Sequence, residues 1–366
     1  MTDPSDPAPD PDDPTPSNLP IPADPTSSNL PFPADQAAVS DPSGTASSGP
    51  PGHSMFSLEG RAAPALFLIG RVGSLMGLAI VGVSVMAAGT AAAPWLFLVG
   101  LAVLALGVLS AGGSQALDRS HRPDLPYRGA SPVIAFIAVI ALTLLAIVVV
   151  LVPLSAVGLD PSSPLATTIS LAITALMYVA VVRLLVVGPG ALTWADMGLH
   201  LPASAAARDL VVGAVLALPV LLVTLVFGGL LSRFVEPAPS PLPDSGTVGG
   251  LLANLVSAAI LAPIGEELFF RGFATTAWAR AIGPTAAIVR GAAFFAFAHI
   301  VTQLDASFAD GVQRAAFSFL ALLPIGLALG WVFLSRRSLY ASIGMHAAFN
   351  ALQVLALYAA TQVPTG

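Results

Sequence analysis

Long apolar segments follow one another through most of this chain and limit what it can fold into. Apolar residues make up 55% of the 366-residue sequence and charged residues only 9%, and the mean hydropathy is +0.85. A helix needs about 20 predominantly apolar residues to cross a hydrocarbon core about 30 Å thick, and several segments approach or exceed that length. We therefore predict an all-α fold, a polytopic integral membrane bundle of about eight to nine transmembrane helices.

The predicted spans alternate with connections that differ in their arginine content. The spans lie near residues 66–88, 92–112, 132–155, 165–187, 209–232, 248–270, 284–303, 315–334 and 339–360. Because cytoplasmic connections carry an excess of basic residues, the arginine-rich connections indicate the cytoplasmic side. With nine spans, this rule places the N-terminus in the cytoplasm and the C-terminus outside. The arginines on this side are Arg119, Arg122, Arg128, Arg183, Arg208, Arg280, Arg336 and Arg337.

Acidic charge is concentrated at the N-terminus. Residues 1–58 contain eight aspartates and no arginine, and the remainder holds fourteen arginines against twelve acids. The Pro/Asp/Ser-rich composition predicts a disordered cytoplasmic tail, which we interpret as a spacer rather than a docking segment. Residues 62–190 would then form N-terminal transmembrane helices and residues 191–362 a transmembrane core. Nothing suggests nucleic-acid binding, which needs a basic face.

One apolar segment carries two neighbouring carboxylates. The stretch APIGEELFFRG, residues 262–272, contains Glu266, Glu267 and Arg271, in a protein with only four glutamates. A charge at the bilayer centre costs about 2.5–3.5 kcal/mol, so ionisable residues within the membrane usually face a cavity and work there. Glu267 and Arg271 are spaced i and i+4 and are predicted to form an ion pair on one helix face. Glu266 then remains as the working carboxylate.

Two later spans carry histidines at helical spacing. FFAFAHI places Phe295 one turn before His299, and SIGMHAAFNALQ places His346 one turn before Asn350. Taken alone, each of these polar side chains could simply form a hydrogen bond between two helices. A carboxylate, two imidazoles and an amide together are the groups needed to activate water. The chain has no cysteine, which excludes thiolate metal sites and cysteine nucleophiles, and it contains no HExxH or GxSxG motif.

These segments resemble a known family. EELFFR is similar to the EExxxR motif of the CPBP intramembrane proteases, which include the CAAX prenyl endopeptidases and the Abi-type bacteriocin-immunity proteins. FAFAH and HAAFN resemble the family's FxxxH and HxxxN motifs, and TWADMGLHLP, from Thr193, resembles the connector that precedes the core. The resemblance covers about residues 193–360. It implies an intramembrane endopeptidase that cleaves a membrane-anchored protein or peptide within or beside the lipid bilayer.

The resemblance also implies roles for the polar residues. Glu266 would activate water, with His299 and His346 flanking that water or a metal ion. Asn350 would donate to the oxyanion that develops on the substrate carbonyl. The remaining two charged residues, Glu267 and Arg271, would brace the site.

These residues are compatible with a site that binds a metal ion and with one that does not. Glu266, His299 and His346 form a His₂Glu ligand set of the kind that binds catalytic Zn²⁺, in keeping with the metalloprotease label of the family. If Glu266 binds zinc, however, the site lacks a base, and the alternative is a metal-independent site in which Glu266 is the base. Two other functions use the same polar cluster, a membrane transporter and a non-catalytic immunity or binding protein.

Overall fold

The computed structural model describes residues 58, 60–237, 246–300 and 308–362, and for residues 308–310 the backbone alone. The predicted tail lies outside these ranges except for residue 58. Within them the chain is all-helical and contains no strand, as predicted. The helices are α1 Pro64–Met86, α2 Ala93–Ser120, α3 Pro132–Ala156, α4 Pro164–Val187, α5 Ala203–Leu231, α6 Val248–Ile282, α7 Pro284–Ile300, α8 Phe308–Arg336 and α9 Leu339–Thr361.

Eight of these helices are long and apolar enough to cross a membrane, and α7 is shorter. At 1.5 Å per residue the 17 residues of α7 extend about 26 Å, slightly less than the hydrocarbon thickness. The predicted count of eight to nine spans is therefore confirmed. Helix α7 is the one that makes the difference between eight and nine. The protein is a multi-pass membrane protein.

Helix α6 changes its winding on both sides of the two glutamates. Residues Val256–Leu261 and Leu268–Thr275 are π-helical, and the six residues between them, Ala262–Glu267, are α-helical. Pro263 stands at the start of the α-helical segment, and because proline has no N–H it cannot continue the regular hydrogen-bond ladder. π-Helical turns inside α-helices are frequent at functional sites. Here they set the directions of Glu266 and Glu267.

Small residues allow α6 and α9 to approach their neighbours closely. A Cβ added to Gly265 of α6 would lie 2.8 Å from Cα of Ala175 in α4. A Cβ added to Gly344 of α9 would lie 2.8 Å from Cα of Leu210 in α5. Contacts this short require glycine, as at other close helix crossings in membranes. The two helices that carry most of the polar residues are thus held backbone to backbone against α4 and α5.

The connector before α5 contacts both of these helices. Asp196 forms an ion pair of 2.7 Å with Arg280 near the end of α6. Met197 is fully buried, and the Gly198 carbonyl accepts a hydrogen bond of 3.2 Å from the Leu339 amide at the start of α9. The connector therefore ties the end of α6 to the beginning of α9.

Candidate active site

Glu266 lies between the two histidines of the predicted motifs. Its Oε2 atom is 3.7 Å from Nε2 of His299 and 4.0 Å from Nε2 of His346. The exposed fraction of the side chain is 16% for Glu266, 34% for His299 and 5% for His346. Three helices, α6, α7 and α9, thus bring together residues that are far apart in the sequence, and the cluster is accessible mainly on the side of His299.

The two oxygens of the Glu266 carboxylate have different surroundings. Oε2 is fully enclosed and makes no hydrogen bond to a residue that the structure describes. Oε1 also has no such bond, but it is not enclosed. The carboxylate therefore turns one oxygen towards the histidines and keeps the other open to a small molecule such as water.

His299 is oriented by its own helix. Its Nδ1 atom is 2.8 Å from the Phe295 carbonyl oxygen one turn earlier. Because a carbonyl oxygen can only accept, Nδ1 carries the hydrogen, and in the neutral imidazole Nε2 presents a lone pair. The ring also packs on Phe295 at 4.4 Å between centroids. The FxxxH spacing thus provides both the hydrogen-bond partner and the packing surface of this histidine.

His346 is held by the second glutamate. Its Nδ1 atom is 2.8 Å from Oε1 of Glu267, and the same Oε1 accepts a hydrogen bond of 2.9 Å from Arg271. The predicted ion pair between Glu267 and Arg271 is therefore present, and both side chains are fully buried. Since the carboxylate accepts from Nδ1, Nε2 of the neutral ring again faces Glu266.

Arg271 makes further contacts with α7 and α8. Its guanidinium lies 4.2 Å from the centroid of the Phe295 ring, and its second terminal nitrogen donates to the Gly326 carbonyl at 3.4 Å. A buried arginine is tolerated when its charge is paired and its donors are satisfied. Glu267, Arg271 and Phe295 together form the packed support of the two histidines.

Asn350 makes a structural contact. Its Nδ2 atom donates a hydrogen bond of 2.8 Å to the Ala258 carbonyl, in the first π-helical segment of α6. An amide nitrogen carries two hydrogens, so one donor remains. Two other polar residues of this helix bond to its backbone: Ser342 donates to the Leu339 carbonyl and Gln353 to the Phe349 carbonyl.

The histidines and Glu266 can be compared with a zinc site. Zinc binds nitrogen and oxygen at about 2.0–2.2 Å, so two ligands of tetrahedral zinc lie about 3.4 Å apart. The donors fit in kind, because each histidine anchors its other nitrogen as zinc-bound histidines do. Their spacing is wider, at 3.7 and 4.0 Å, and no three His, Asp or Glu residues in the described ranges are placed to hold a metal ion. In this structure the donors are therefore spread more widely than the ligands of a bound zinc ion, and zinc binding stays a prediction.

A comparison of the sequence with protein families matches the part of the chain that holds these residues. Residues 248–352 match the family of Rce1-like type II CAAX prenyl endopeptidases. We call this segment the Rce1-like domain, after the family model that it matches. The match begins with α6 and ends within α9, so it contains all three motifs. No curated protein and no solved structure matches the chain.

The Rce1-like domain belongs to a family of intramembrane endopeptidases, which confirms the predicted relationship. The family match is shorter than the predicted core of residues 191–362 and leaves out α5. The boundaries at residues 58, 62, 190, 191 and 362 remain predictions, as do the cytoplasmic position of the N-terminus and the catalytic roles of individual residues.

Two residues outside the Rce1-like domain contact its helices and were not predicted from the sequence. Asp209 of α5 is buried and pairs with Arg336 at the end of α8. A single acid in an apolar segment could have signalled this pair. Tyr178 of α4 packs beside Gly265. An aromatic residue in an apolar span gave no such signal.

Proposed function

We propose that this protein is an intramembrane endopeptidase in which Glu266 activates water for hydrolysis of a peptide bond. The observation that carries the proposal is the position of the Glu266 carboxylate, with Oε2 facing the two histidines and Oε1 open. A carboxylate in a largely apolar site, held by fixed neighbours, is suited to general-base catalysis. No step of the reaction is assigned to a metal ion.

The reaction begins at the open oxygen of Glu266. A water bound there donates one hydrogen to Oε1 and directs a lone pair towards the substrate carbonyl carbon. Glu266 takes the proton as the C–O bond forms. It then delivers that proton to the amide nitrogen as the C–N bond breaks, so the products are a carboxylic acid and an amine.

The histidines line the space beside Glu266 and shape the approach of the substrate. The Nδ1 atoms of His299 and His346 are anchored to Phe295 and Glu267, so neither ring can turn without losing a hydrogen bond, which is buried for His346 and partly buried for His299. When one ring carries a proton on Nε2, it can donate to Glu266 or to the oxyanion. The remaining N–H of Asn350 is the other donor that we assign to the oxyanion.

We assign the substrate to the membrane. Because the site lies on membrane-spanning helices, a peptide bond near a lipid anchor or a transmembrane segment can reach it without crossing bulk water. We propose a membrane-anchored protein or peptide as the substrate and make no assignment to a prenylated CAAX sequence. The proposed location is a cell membrane with the N-terminus in the cytoplasm.

The test uses the full chain in liposomes with a panel of single-span reporter proteins that differ in juxtamembrane sequence. A farnesylated peptide with a CAAX end forms a separate arm. We expect wild type to cleave at least one reporter at a single bond, identified by mass spectrometry. Glu266→Ala and His346→Ala should fail to do so. Glu236→Ala changes an exposed carboxylate outside the site and should cleave as wild type does.

The outcomes separate the proposal from the two other functions. Equal cleavage by wild type and Glu266→Ala would contradict the catalytic role of Glu266. Wild-type protein that cleaves no reporter but carries ions across the liposome membrane would indicate a transporter. Binding of a reporter without cleavage would indicate a non-catalytic immunity or binding protein.

A further inference from the structure

The first π-helical segment of α6 leaves one backbone carbonyl without a donor from its own helix. In a π-helix each carbonyl accepts from the N–H five residues later, and at the end of Val256–Leu261 the Ala262 N–H donates in this way to the Ser257 carbonyl. The next bond of the series would run from residue 263 to the Ala258 carbonyl. Residue 263 is a proline, which has no N–H. The Ala262 N–H is already used, so the Ala258 carbonyl needs a donor from elsewhere.

Asn350 of α9 supplies this donor. Its Nδ2 atom lies 2.8 Å from the Ala258 carbonyl oxygen, a normal length for an N–H···O bond. Inside a membrane a backbone carbonyl must be satisfied within the protein, because no bulk water reaches it. The side chain of Asn350 thus does for this carbonyl what the N–H of residue 263 would do in a helix without proline.

Helix α9 contacts α6 on both sides of Glu266. Before Glu266, Asn350 holds the Ala258 carbonyl. Directly after Glu266, Glu267 accepts from Nδ1 of His346, one turn before Asn350 on α9. The short segment that carries the proposed base is therefore fixed at each end by one side chain of the third motif. A change in winding at either end would turn Glu266 about the helix axis.

We propose that Asn350 is a positioning residue for Glu266, and that its amide replaces the N–H that Pro263 lacks. Without this bond the Ala258 carbonyl could regain a donor from α6 only if the Ala262 N–H moved to it, which would convert the π-helical turn to an α-helical one. The same bond fixes the direction of the second hydrogen of Asn350, the one assigned to the oxyanion. The inference rests on the proposed function where it concerns Glu266, whereas the bond between the helices is independent of it.

The test returns the missing N–H to α6. Pro263→Ala gives residue 263 a donor for the Ala258 carbonyl, so Asn350 is no longer its sole partner. We expect Asn350→Ala to lower the melting temperature of the full chain in detergent micelles by about 2–6 °C. In the Pro263→Ala background the same change should lower it by less than half as much. Equal shifts in the two backgrounds would overturn the inference.

If Asn350→Ala alone does not fold, the double variant decides. Recovery of folded protein in Pro263→Ala/Asn350→Ala is then the expected result, and failure to recover it would equally overturn the inference.

Two controls make the comparison specific to this bond. Gln353→Ala removes another amide of α9, which donates to the Phe349 carbonyl of its own helix, and its shift should be the same with and without Pro263. Pro153→Ala removes a proline inside α3 and should not alter the shift caused by Asn350→Ala. A Pro153→Ala background that reduces this shift as much as Pro263→Ala does would show a general effect of replacing proline and would contradict the inference.

Reporter cleavage in liposomes separates positioning from oxyanion binding. Asn350→Ala removes both hydrogens of the amide, whereas Pro263→Ala restores a donor only to the Ala258 carbonyl. We expect kcat of the double variant to exceed that of Asn350→Ala about three- to tenfold, the effect of one hydrogen bond, with KM unchanged. A recovered melting temperature with no recovery of kcat would overturn the positioning role. A wild-type protein that cleaves nothing would contradict the proposed function, and the melting temperatures would still decide the bond.

Discussion

Nδ1 of His346 lies 2.8 Å from Oε1 of Glu267, and this hydrogen bond joins α9 to α6 inside the membrane. The same oxygen accepts from Arg271, so one buried carboxylate fixes both the imidazole of one motif and the guanidinium of another. Glu267 is therefore the link between the first and the third motif. Its neighbour Glu266 makes no hydrogen bond to a residue that the structure describes, and its Oε2 points to both histidines.

The first prediction concerns Glu266. Glu266→Gln keeps the shape of the side chain but removes its basicity, and positioned general bases contribute about 100- to 10,000-fold to rate. We expect the rate of reporter cleavage in liposomes to fall by that factor while the protein remains folded. Glu236→Gln is the control and should not change the rate. A decrease smaller than about tenfold would assign the base to another residue.

The second prediction concerns the Glu267–Arg271 pair. Removing one partner of a buried ion pair leaves an uncompensated charge and costs about 3–5 kcal/mol. We expect Glu267→Gln to lose this much free energy of unfolding in mixed micelles titrated with SDS. The double variant Glu267→Leu/Arg271→Met leaves no buried charge and should be more stable than the single variant. A double variant that is less stable would show that the pair itself stabilises the fold.

The third prediction concerns zinc. Because the Oε2–Nε2 distances exceed those of a tetrahedral zinc site, we expect purified protein to contain far less than one zinc per chain by mass spectrometry of the elements. Cleavage should persist after treatment with a chelator. The opposite result would be one zinc per chain that is lost in His299→Ala but retained in the exposed control His121→Ala. That result would assign Glu266, His299 and His346 as metal ligands.

The fourth prediction concerns the connector. Burial raises the pKa of Asp196, but hydrogen bonds from Thr193 and the nearby Arg280 guanidinium outweigh it, so the pKa is lowered overall. A carboxyl whose pKa is lower in the folded state stabilises the fold above its unfolded pKa of about 3.9 and loses that effect as the pH falls through the folded pKa. We expect Asp196→Asn to melt below wild type at pH 7, with a difference that is constant down to about pH 5.

Below about pH 4 this difference in melting temperature should shrink. Asp124→Asn is the control, because Asp124 pairs with Arg122 at an exposed position and exposed pairs contribute little. Equal melting of wild type and Asp196→Asn at pH 7 would show that the ion pair does not hold the connector.

The fifth prediction concerns the contact between α4 and α6. Gly265→Ala adds a Cβ that would lie 2.8 Å from Cα of Ala175, so the helices must separate at the residue before Glu266. Overpacking typically costs about 1–3 kcal/mol, and we expect a lower melting temperature together with slower cleavage. Gly228→Ala is the control, since a Cβ there would meet nothing within 4 Å. Wild-type behaviour of Gly265→Ala would show that this contact does not position Glu266.

The sequence was sufficient for features that depend on neighbours along one helix. Apolar length predicts the spans, and i, i+4 spacing predicts the Glu267–Arg271 pair and the contact of Phe295 with His299. The spans were placed to within a few residues for most helices, although α6 was predicted to end near residue 270 and continues to Ile282. Helix α2 was predicted to end near residue 112 but continues to Ser120. Its last turns are polar, and hydropathy detects only the part of a helix that is apolar.

Contacts between helices could not be read in this way. Periodicity predicts which face of a helix is polar, but not which neighbouring helix that face meets. The hydrogen bond from Asn350 to Ala258, the position of Tyr178 beside Gly265 and the enclosed Oε2 of Glu266 all depend on helix packing. The π-helical turns of α6 also change the directions of its side chains relative to a regular helix.

The sequence by itself determined that the chain is helical, that it spans a membrane, and which few ionisable residues lie in its apolar segments, because hydropathy and i, i+4 spacing are local properties. Only the tertiary structure decided that Glu266 faces His299 and His346 while Glu267 holds His346 and Arg271. That division of roles depends on the π-helical turns of α6 and on its close contact with α4 at Gly265, because both affect the directions in which its side chains leave the helix.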